Sequence, residues 1–200
     1  MARRIRLTLV RHLPTAGNKR REYIGWTDEP IVEADALNVE LPWKPKIVYG
    51  SDLLRCQESA ALYFPKAIYK SDCRFRESHF GEWEGKTYDL LKDNKTYRSW
   101  IDDPTNFKPP GGESLLKVKS RVMKALTELP DDATDYFIVT HGGPIRLLLT
   151  AFSPEQQDFW SWEIPHGAVW QLEWHDRNDF MEGKRCRSLL AVPITGNAHM

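Results

Sequence analysis

The sequence is poor in cysteine and contains no long apolar run. Its three cysteines, Cys56, Cys73 and Cys186, are far apart and lack the spacing of metal ligands, which indicates reduced thiols rather than a disulfide framework. No segment approaches the ~20 apolar residues that a membrane-spanning helix needs, and the basic start at residues 1–5 is not followed by the apolar stretch of a signal peptide. We therefore expect a soluble cytoplasmic protein that does not associate with membranes.

An excess of charge of either sign is also absent. Lys plus Arg and Asp plus Glu each number 28 among the 200 residues, so the chain as a whole offers no electrostatic footprint for nucleic acid. An anionic ligand must therefore be bound by locally placed groups. The length is that of one domain, and we predict a single domain over residues 1–200, as a monomer or a homodimer.

Apolar runs that alternate with amphipathic segments predict an α/β protein. Strands are predicted at residues 5–10, 46–50, 66–70 and 136–140, and helices at 33–41, 53–63, 87–100, 113–129 and 145–152, with one more helix beginning at 153–156. Two late alternating segments, 168–174 and 188–194, extend the sheet. The predicted fold is a three-layer αβα sandwich whose central sheet is mostly parallel with one antiparallel edge strand. Prolines and glycines after residue 103 make residues 78–112 a small cap-like excursion.

Two of the predicted strands are followed by a histidine. His12 comes after the strand at 5–10, and His141 comes after the strand at 136–140. Because the carboxyl ends of neighbouring parallel strands meet at one edge of a sheet, the two imidazoles converge if both strands lie in the middle of the sheet.

Two arginines are predicted on the same rim. Arg11 stands beside His12, and Arg55 lies in the first turn of the helix after the second strand. A guanidinium group gives bidentate hydrogen bonds and a charge that does not titrate, and the helix N-terminus at Gly142 would add backbone donors. This combination of imidazoles and guanidinium groups predicts a pocket for phosphate.

A second histidine is more than phosphate binding requires. A neutral imidazole can attack phosphorus and carry the phosphoryl group covalently, while the cations and the other histidine stabilise the charge on the equatorial oxygens. The leaving oxygen needs a proton, which Glu77 would supply before acting as the base on the water that releases phosphate. Glu82 and Glu84 are the alternatives.

Tryptophan is frequent, with eight residues in 200. Most of these side chains are expected to fill the core or the cap, and Trp26 and Trp83 are the best candidates for substrate contact. His79 and His166 are interpreted as structural or rim residues.

Four short motifs, in this order, resemble the histidine phosphatase superfamily, which includes the cofactor-dependent phosphoglycerate mutases. They are RHxxTxxN at Arg11, His12, Thr15 and Asn18, SxLxRxxxSA from Ser51 to Ala60, ExxFGxWEG from Glu77 to Gly85, and THGGPIR from Thr140 to Arg146. The resemblance implies a phosphoglycerate mutase-like fold and no metal or cofactor. It also implies the following roles: phosphorylated nucleophile, His12; proton donor, Glu77; phosphate cage, Arg11, Arg55 and His141; assisting groups, Asn18 and the Gly142 backbone. Thr15, in the first motif, is predicted to bind phosphate or substrate with them.

The sequence departs from the family pattern at one place. The family usually has Gly directly after the nucleophile, where this chain has Leu13 followed by Pro14. A residue before proline is restricted to extended backbone angles, so we expect Leu13 to line the mouth of the site and to narrow the range of substrates.

Three functions fit these residues. The first is a phosphomonoesterase acting on a small phosphorylated metabolite, either α-ribazole 5'-phosphate or a broad range, since the length and the short segment before Glu113 resemble the phosphatase branch and α-ribazole phosphatases. The second is a mutase that requires a bisphosphate primer. The third is a catalytically silent phosphate-binding module, against which the intact His12 and Glu77 argue.

Overall fold

The computed structural model describes residues 3–32, 39–193 and 195–196. Along them the chain forms β1 (Ile5–Arg11), α1 (Ala16–Lys19), β2 (Val39–Glu40), β3 (Ile47–Gly50), α2 (Leu54–Tyr63), β4 (Ile68–Ser71), α3 (Tyr88–Leu91), α4 (Lys95–Asp102), α5 (Leu115–Thr127), β5 (Asp135–Thr140), α6 (Gly142–Phe152), β6 (Val169–Trp174), α7 (Arg177–Met181), β7 (Ser188–Val192) and β8 (Thr195–Gly196). None of these helices is long and apolar enough to cross a membrane.

Six of these strands form the central sheet, in the order β4-β3-β5-β1-β6-β7. The strands from β4 to β1 are parallel to one another, whereas β6 runs antiparallel to β1 and β7 runs antiparallel to β6. The antiparallel strand predicted for the edge is therefore β6, which lies one place inside β7. Outside this sheet, β2 and β8 pair with each other.

Alternation of side chains along the strands divides the core into two layers. On β1, Leu7 and Leu9 are buried in a cluster that includes residues of α5 and α6, whereas Val10 is buried in a second cluster with residues of α2. On β5, Ile138 belongs to the first cluster and Val139 to the second. Helices thus cover both faces of the sheet, which confirms the predicted αβα sandwich.

The segment at residues 78–112 contains α3 and α4 rather than one continuous helix. The helical pattern breaks because the side chain of Asn94 caps α4, accepting a hydrogen bond from the N–H of Tyr97 at 3.0 Å. An aromatic group that we call the cap cluster fills the segment: buried Trp83, Leu91, Tyr97 and Trp100, with Tyr23, Phe80 and Ile101 packed against them. The hydroxyl groups of Tyr23 and Tyr97 lie 2.6 Å apart, so the cluster joins this segment to the loop after α1.

Two weaker helix predictions have different outcomes. The helix predicted to begin at 153–156 is wrong, because Ser153 ends α6 and its carbonyl oxygen accepts a hydrogen bond from Arg185 at 2.6 Å. Of the helix predicted at 33–41, residues 33–38 lie outside the described residues, and the two that follow form β2.

We expect Trp100→Ala to lower the free energy of unfolding by about 3–5 kcal/mol, because the substitution leaves a cavity in the cap cluster. The Trp100 side chain is 4% exposed, and its ring centroid lies 5.4 Å from that of Trp83. Leu90, on the same segment, is 72% exposed, and Leu90→Ala is the matched control, expected to change stability by less than about 0.5 kcal/mol. Urea unfolding followed by circular dichroism measures both. Equal losses would show that the cap cluster does not stabilise the domain.

Candidate active site

The pairing of β1 with β5 brings two histidines together. In this parallel pair Arg11 lies opposite Thr140, and the N–H of His12 donates to the Thr140 carbonyl oxygen at 3.0 Å. The ring centroids of His12 and His141 are 4.9 Å apart, and both side chains are buried. The two imidazoles therefore meet at the carboxyl edge of the sheet, where their positions after two strands predicted them.

The surroundings of His12 determine which ring nitrogen carries the proton in the neutral imidazole. Nδ1 lies 2.6 Å from the carbonyl oxygen of Leu13, and because a carbonyl oxygen only accepts, Nδ1 is the protonated nitrogen. The N–H of Leu13 donates to Ser59 Oγ at 2.9 Å, which holds this part of the loop in place. Nε2 keeps its lone pair, as an imidazole nucleophile requires.

The prediction that Leu13 lines the mouth of the site is wrong. Its side chain is 6% exposed and belongs to the apolar cluster that contains Val10 and Phe137. The backbone N–H and carbonyl of Leu13 are bound by Ser59 and His12, and its side chain extends into the core. Leu13 therefore stabilises the loop and does not narrow the mouth.

Arg55 holds His141 in position. Its Nε donates to His141 Nδ1 at 3.3 Å, so in the neutral imidazole the proton is on Nε2, which lies 3.4 Å from Cys56 Sγ. The two terminal nitrogens of Arg55 donate to the carbonyl oxygens of Thr27, at 2.9 Å, and Gly25, at 2.6 Å. This fully buried guanidinium group thus connects the second histidine to the loop at the mouth.

Burial and nearby cations keep both imidazoles neutral. Burial is the largest influence that lowers the pKa of His12 and of His141 well below the ordinary histidine value, and the charges of Arg55 and Arg11 lower both further. Burial also lowers the pKa of Arg11, to about 10, which leaves it a cation at neutral pH. The site thus combines two neutral imidazoles with positively charged surroundings.

Only some of the hydrogen-bond donors of the Arg11 guanidinium group have partners among the described residues. Nη1 donates to the carbonyl oxygen of Ile164, and Nη2 lies 3.0 Å from His166 Nε2. Nε is buried and has no hydrogen-bond partner among the described residues. A methyl group at Gly142 would lie 3.3 Å from Arg11 Cζ, so the guanidinium group lies against the first residue of α6, where backbone N–H groups add donors for an anion.

Glu77 lies at the same end of α6. Its side chain is buried, and its carboxyl oxygens accept the N–H of Ser78 at 2.8 Å and the N–H of Gly143 at 2.9 Å. A methyl group at Gly143 would lie 2.1 Å from Glu77 Oε1, so the contact requires glycine. Arg121 donates to the carbonyl oxygens of Glu77 and Arg76 at 2.7 and 2.6 Å, which fixes the segment that carries the carboxyl group.

The two alternatives to Glu77 are placed differently. Glu82 is exposed. Glu84 accepts hydrogen bonds from the backbone N–H groups of residues 25–27. Burial by itself would raise the pKa of Glu84, but these hydrogen bonds lower it overall. Because the carbonyl groups of the same loop hold Arg55, Glu84 positions the loop and is not a candidate for the proton donor.

Thr15 and Asn18 form the N-terminal cap of α1. The Thr15 hydroxyl accepts the N–H of Asn18, and Asn18 Oδ1 accepts the N–H of Thr15, both at 3.2 Å. Thr15 is fully buried, and its hydroxyl caps α1 and orients Asn18, so that its binding to phosphate stays a prediction. Asn18 Oδ1 also lies 3.1 Å from His166 Nε2, which places Asn18 beside the site.

Of the two candidate tryptophans, Trp26 lies at the mouth and Trp83 does not. Trp26 is 38% exposed, its indole N–H donates to the Glu77 carbonyl oxygen at 3.0 Å, and the Arg76 guanidinium group lies 4.9 Å from its ring centroid. Trp83 is 2% exposed and is buried in the cap cluster beside Tyr97. The prediction that Trp83 contacts substrate is wrong, because the cap cluster covers its ring.

Two groups at the site were missed from the sequence. His166, interpreted as a structural or rim residue, has its ring centroid 5.2 Å from that of His12 and its Nε2 beside Arg11. Its position just before the strand predicted at 168–174 could have indicated this, because a strand that runs antiparallel to the strand at 5–10 begins beside the end of that strand. The second missed group is the backbone N–H of Gly143. The two consecutive glycines in the last motif could have indicated it.

Comparisons with known proteins show the family to which the chain belongs. The family model of the histidine phosphatase superfamily (branch 1) matches residues 7–185. A glucosyl-3-phosphoglycerate phosphatase from Mycolicibacterium vanbaalenii is 29% identical over 198 residues, covering 87% of this chain and 86% of that protein. The structure of phosphoglycerate mutase from Thermus thermophilus matches with a TM-score of 0.70 at 29% identity, covering 94% of this chain and 100% of that chain. A candidate alpha-ribazole-5'-P phosphatase from Escherichia coli K-12, at 19% identity, shares the fold, with a TM-score of 0.75 and 97% of each chain covered.

We expect the free energy of unfolding to fall as the pH is lowered from about 7.5 to about 5.5. The pKa values of His12 and His141 are depressed in the folded protein, so below about pH 6.5 the unfolded chain binds more protons than the folded one and stability is lost. Each histidine contributes up to about 1.4 kcal/mol at pH 5.5. Urea midpoints of His141→Gln should fall less steeply with pH, whereas His175→Gln, at an exposed histidine, is the control. An unchanged slope in His141→Gln would contradict this assignment.

Proposed function

Since the chain belongs to the histidine phosphatase superfamily, we propose that it is a metal-independent phosphomonoesterase that hydrolyses a small phosphorylated metabolite through a phosphohistidine on His12. One observation carries the proposal. The imidazole of His12 has its Nδ1 proton held by a carbonyl oxygen and lies 4.9 Å from a second neutral imidazole, with the cation of Arg11 beside it. Phosphate binding alone would not require a nucleophile prepared in this way.

In the first step Nε2 of His12 attacks phosphorus. The Nε2–P bond forms as the ester P–O bond breaks, and Glu77 gives its proton to the leaving oxygen, so that the alcohol departs. The carbonyl oxygen of Leu13 stays bonded to the Nδ1 proton and stabilises the positive charge that develops on the ring. Backbone N–H groups hold the carboxyl oxygens of Glu77 at the start of α6, which positions this group beside the site.

In the second step water releases the phosphoryl group. The Glu77 carboxylate removes a proton from a water molecule, whose oxygen bonds to phosphorus while the Nε2–P bond breaks. Inorganic phosphate leaves, and His12 and Glu77 return to their starting protonation states. Arg11, the Nε2–H of His141 and the N–H groups at the start of α6 stabilise the charge on the equatorial oxygens in both steps, and Arg55 orients His141 and adds its charge.

The identity of the substrate is a finer part of the proposal. Trp26 lies under the Arg76 guanidinium group, which is ion-paired with Asp52, and meets the ring of His79 edge to face at 4.8 Å, so these side chains offer an aromatic surface to the alcohol portion at the mouth. An α-ribazole 5'-phosphate, a phosphorylated sugar acid of the kind named for the mycobacterial relative, and a broad range all fit this surface. A screen of phosphomonoesters would rank them by kcat/KM.

A phosphoglycerate mutase activity is the second candidate, because the structure from Thermus thermophilus carries that name at 29% identity. A mutase needs a bisphosphate primer and holds its phosphoryl group against water. Release of inorganic phosphate from the phosphorylated enzyme, at the rate of turnover and without a primer, would favour the phosphatase.

We expect the protein to hydrolyse p-nitrophenyl phosphate in EDTA, and His12→Ala to lower kcat by at least roughly 10⁴-fold, because the covalent route is lost. Exposed His175→Ala should retain the wild-type rate. Release of p-nitrophenolate measures the rate, and acid quenching of wild type with a ³²P-labelled substrate should trap an acid-labile phosphoprotein that His12→Ala does not form. Activity that survives in His12→Ala would disprove the phosphohistidine route.

We expect Glu77→Gln to slow alkyl phosphates by roughly 10²- to 10⁴-fold and p-nitrophenyl phosphate much less, because p-nitrophenolate leaves without a proton. The matched control is Glu82→Gln, a change of the same kind at an exposed position of the same segment. A series of esters with leaving groups of different pKa measures the dependence. Equal slowing across the series would remove Glu77 from the role of general acid.

A further inference from the structure

His166 is held rigidly beside the end of β1. The N–H of the next residue, Gly167, lies 3.2 Å from the carbonyl oxygen of Arg11 and 3.3 Å from that of His12, and the N–H of Arg11 donates to the Ala168 carbonyl oxygen at 2.9 Å. Gly167 has a φ of +79°, a conformation that favours glycine and that turns the chain into β6. The backbone next to His166 is therefore hydrogen-bonded to the backbone of Arg11 and His12, which holds the imidazole beside these two residues.

The Nε2 atom of His166 lies between two groups of opposite kind. It is 3.1 Å from Asn18 Oδ1 and 3.0 Å from Arg11 Nη2. The orientation of the Asn18 amide is determined by a different contact, since its oxygen accepts the N–H of Thr15 at 3.2 Å in the cap of α1. An acceptor therefore faces His166, and Nε2 carries the proton that is donated to it.

This protonation has a consequence for Arg11. A guanidinium nitrogen only donates, so Arg11 Nη2 and His166 Nε2 are two donors 3.0 Å apart and do not form a hydrogen bond with each other. The buried Nε of Arg11, without a hydrogen-bond partner among the described residues, is a further donor on the same guanidinium group. Donors that converge in this way are satisfied together by one negatively charged oxygen.

We infer that His166 is an additional phosphate-binding residue, whose Nε2–H, donated to Asn18 Oδ1 in this structure, is shared with an oxygen of the phosphoryl group that Arg11 also binds. The inference rests on the proposed function for the identity of this anion. His166 also acts on the neighbouring imidazole, because burial, the charges of Arg55 and Arg11 and then that of His166 lower the pKa of His12. His166 would bind the oxygen in the ester, in the phosphoenzyme and in released phosphate.

Binding of inorganic phosphate to the full chain, measured by isothermal titration calorimetry, tests the inference without turnover. His166→Leu should raise the Kd roughly 10- to 100-fold, because a hydrogen bond to a charged group is lost. His166→Gln, whose amide nitrogen can occupy the place of Nε2, should stay within roughly threefold of wild type. The control His175→Leu, at an exposed histidine, should bind phosphate as wild type does.

Other results would overturn the inference. Wild-type affinity in His166→Leu would show that His166 does not bind phosphate, and an equal loss in His166→Leu and His166→Gln would show that the donated proton is not what matters. Two-bond ¹H–¹⁵N spectra of histidine-labelled protein at about pH 8 give a second measurement. They should show His166 protonated on Nε2, with His166→Gln supplying the assignment, and an unprotonated Nε2 would be equally decisive against the inference. Wild type that binds phosphate without hydrolysing esters would refute the proposed function while these affinities still decide the role of His166.

Discussion

The site depends on the parallel pairing of β1 with β5. With Arg11 opposite Thr140, the residues that follow the two strands come together, and α6 begins directly after the second strand, so its N-terminal N–H groups lie at the same edge. On the other side of β1, β6 starts at this level because it runs in the opposite direction, which brings the loop with His166 to Arg11. A shift of register in either pair would separate these groups.

The parts of the fold and of the site that follow from strand endings could be predicted from the sequence. Apolar runs indicated β1 and β5, and the rule that ligands bind at the carboxyl ends of parallel strands then indicated His12, His141 and Arg11. The positions of strand ends do not predict which way an individual side chain near the site points. Leu13 and Thr15 are close to His12 in sequence, but the Leu13 side chain packs in the cluster that contains residues of α2, and the Thr15 side chain caps α1.

Contacts across long stretches of sequence explain what was missed. Glu84 accepts hydrogen bonds from the N–H groups of the loop at residues 25–27. Carbonyl oxygens of the same loop accept hydrogen bonds from Arg55, so Glu84 positions Arg55 indirectly, through the backbone of this loop. The N–H of Gly143 reaches Glu77 only because two loops meet at the start of α6. No local pattern encodes such contacts, since any residue supplies the backbone N–H or carbonyl group, and only the absence of a side chain at Gly143 leaves a trace in the sequence.

The electrostatics of the site explain how one arrangement serves both binding and catalysis. Among the described residues neither Arg11 nor Arg55 forms a close ion pair with a carboxylate; the charge of Glu77 acts on Arg11 from a greater distance, while backbone N–H groups bind its carboxyl oxygens. Buried cations without a close carboxylate partner are costly, but burial and these cations together keep the imidazole of His12 neutral. In the proposed function the same positive charge attracts a phosphoryl dianion. Pairing either arginine closely with a carboxylate would stabilise the free protein, and it would also raise the pKa of His12 and weaken the attraction for an anion, so the cost to stability and the proposed function have the same origin.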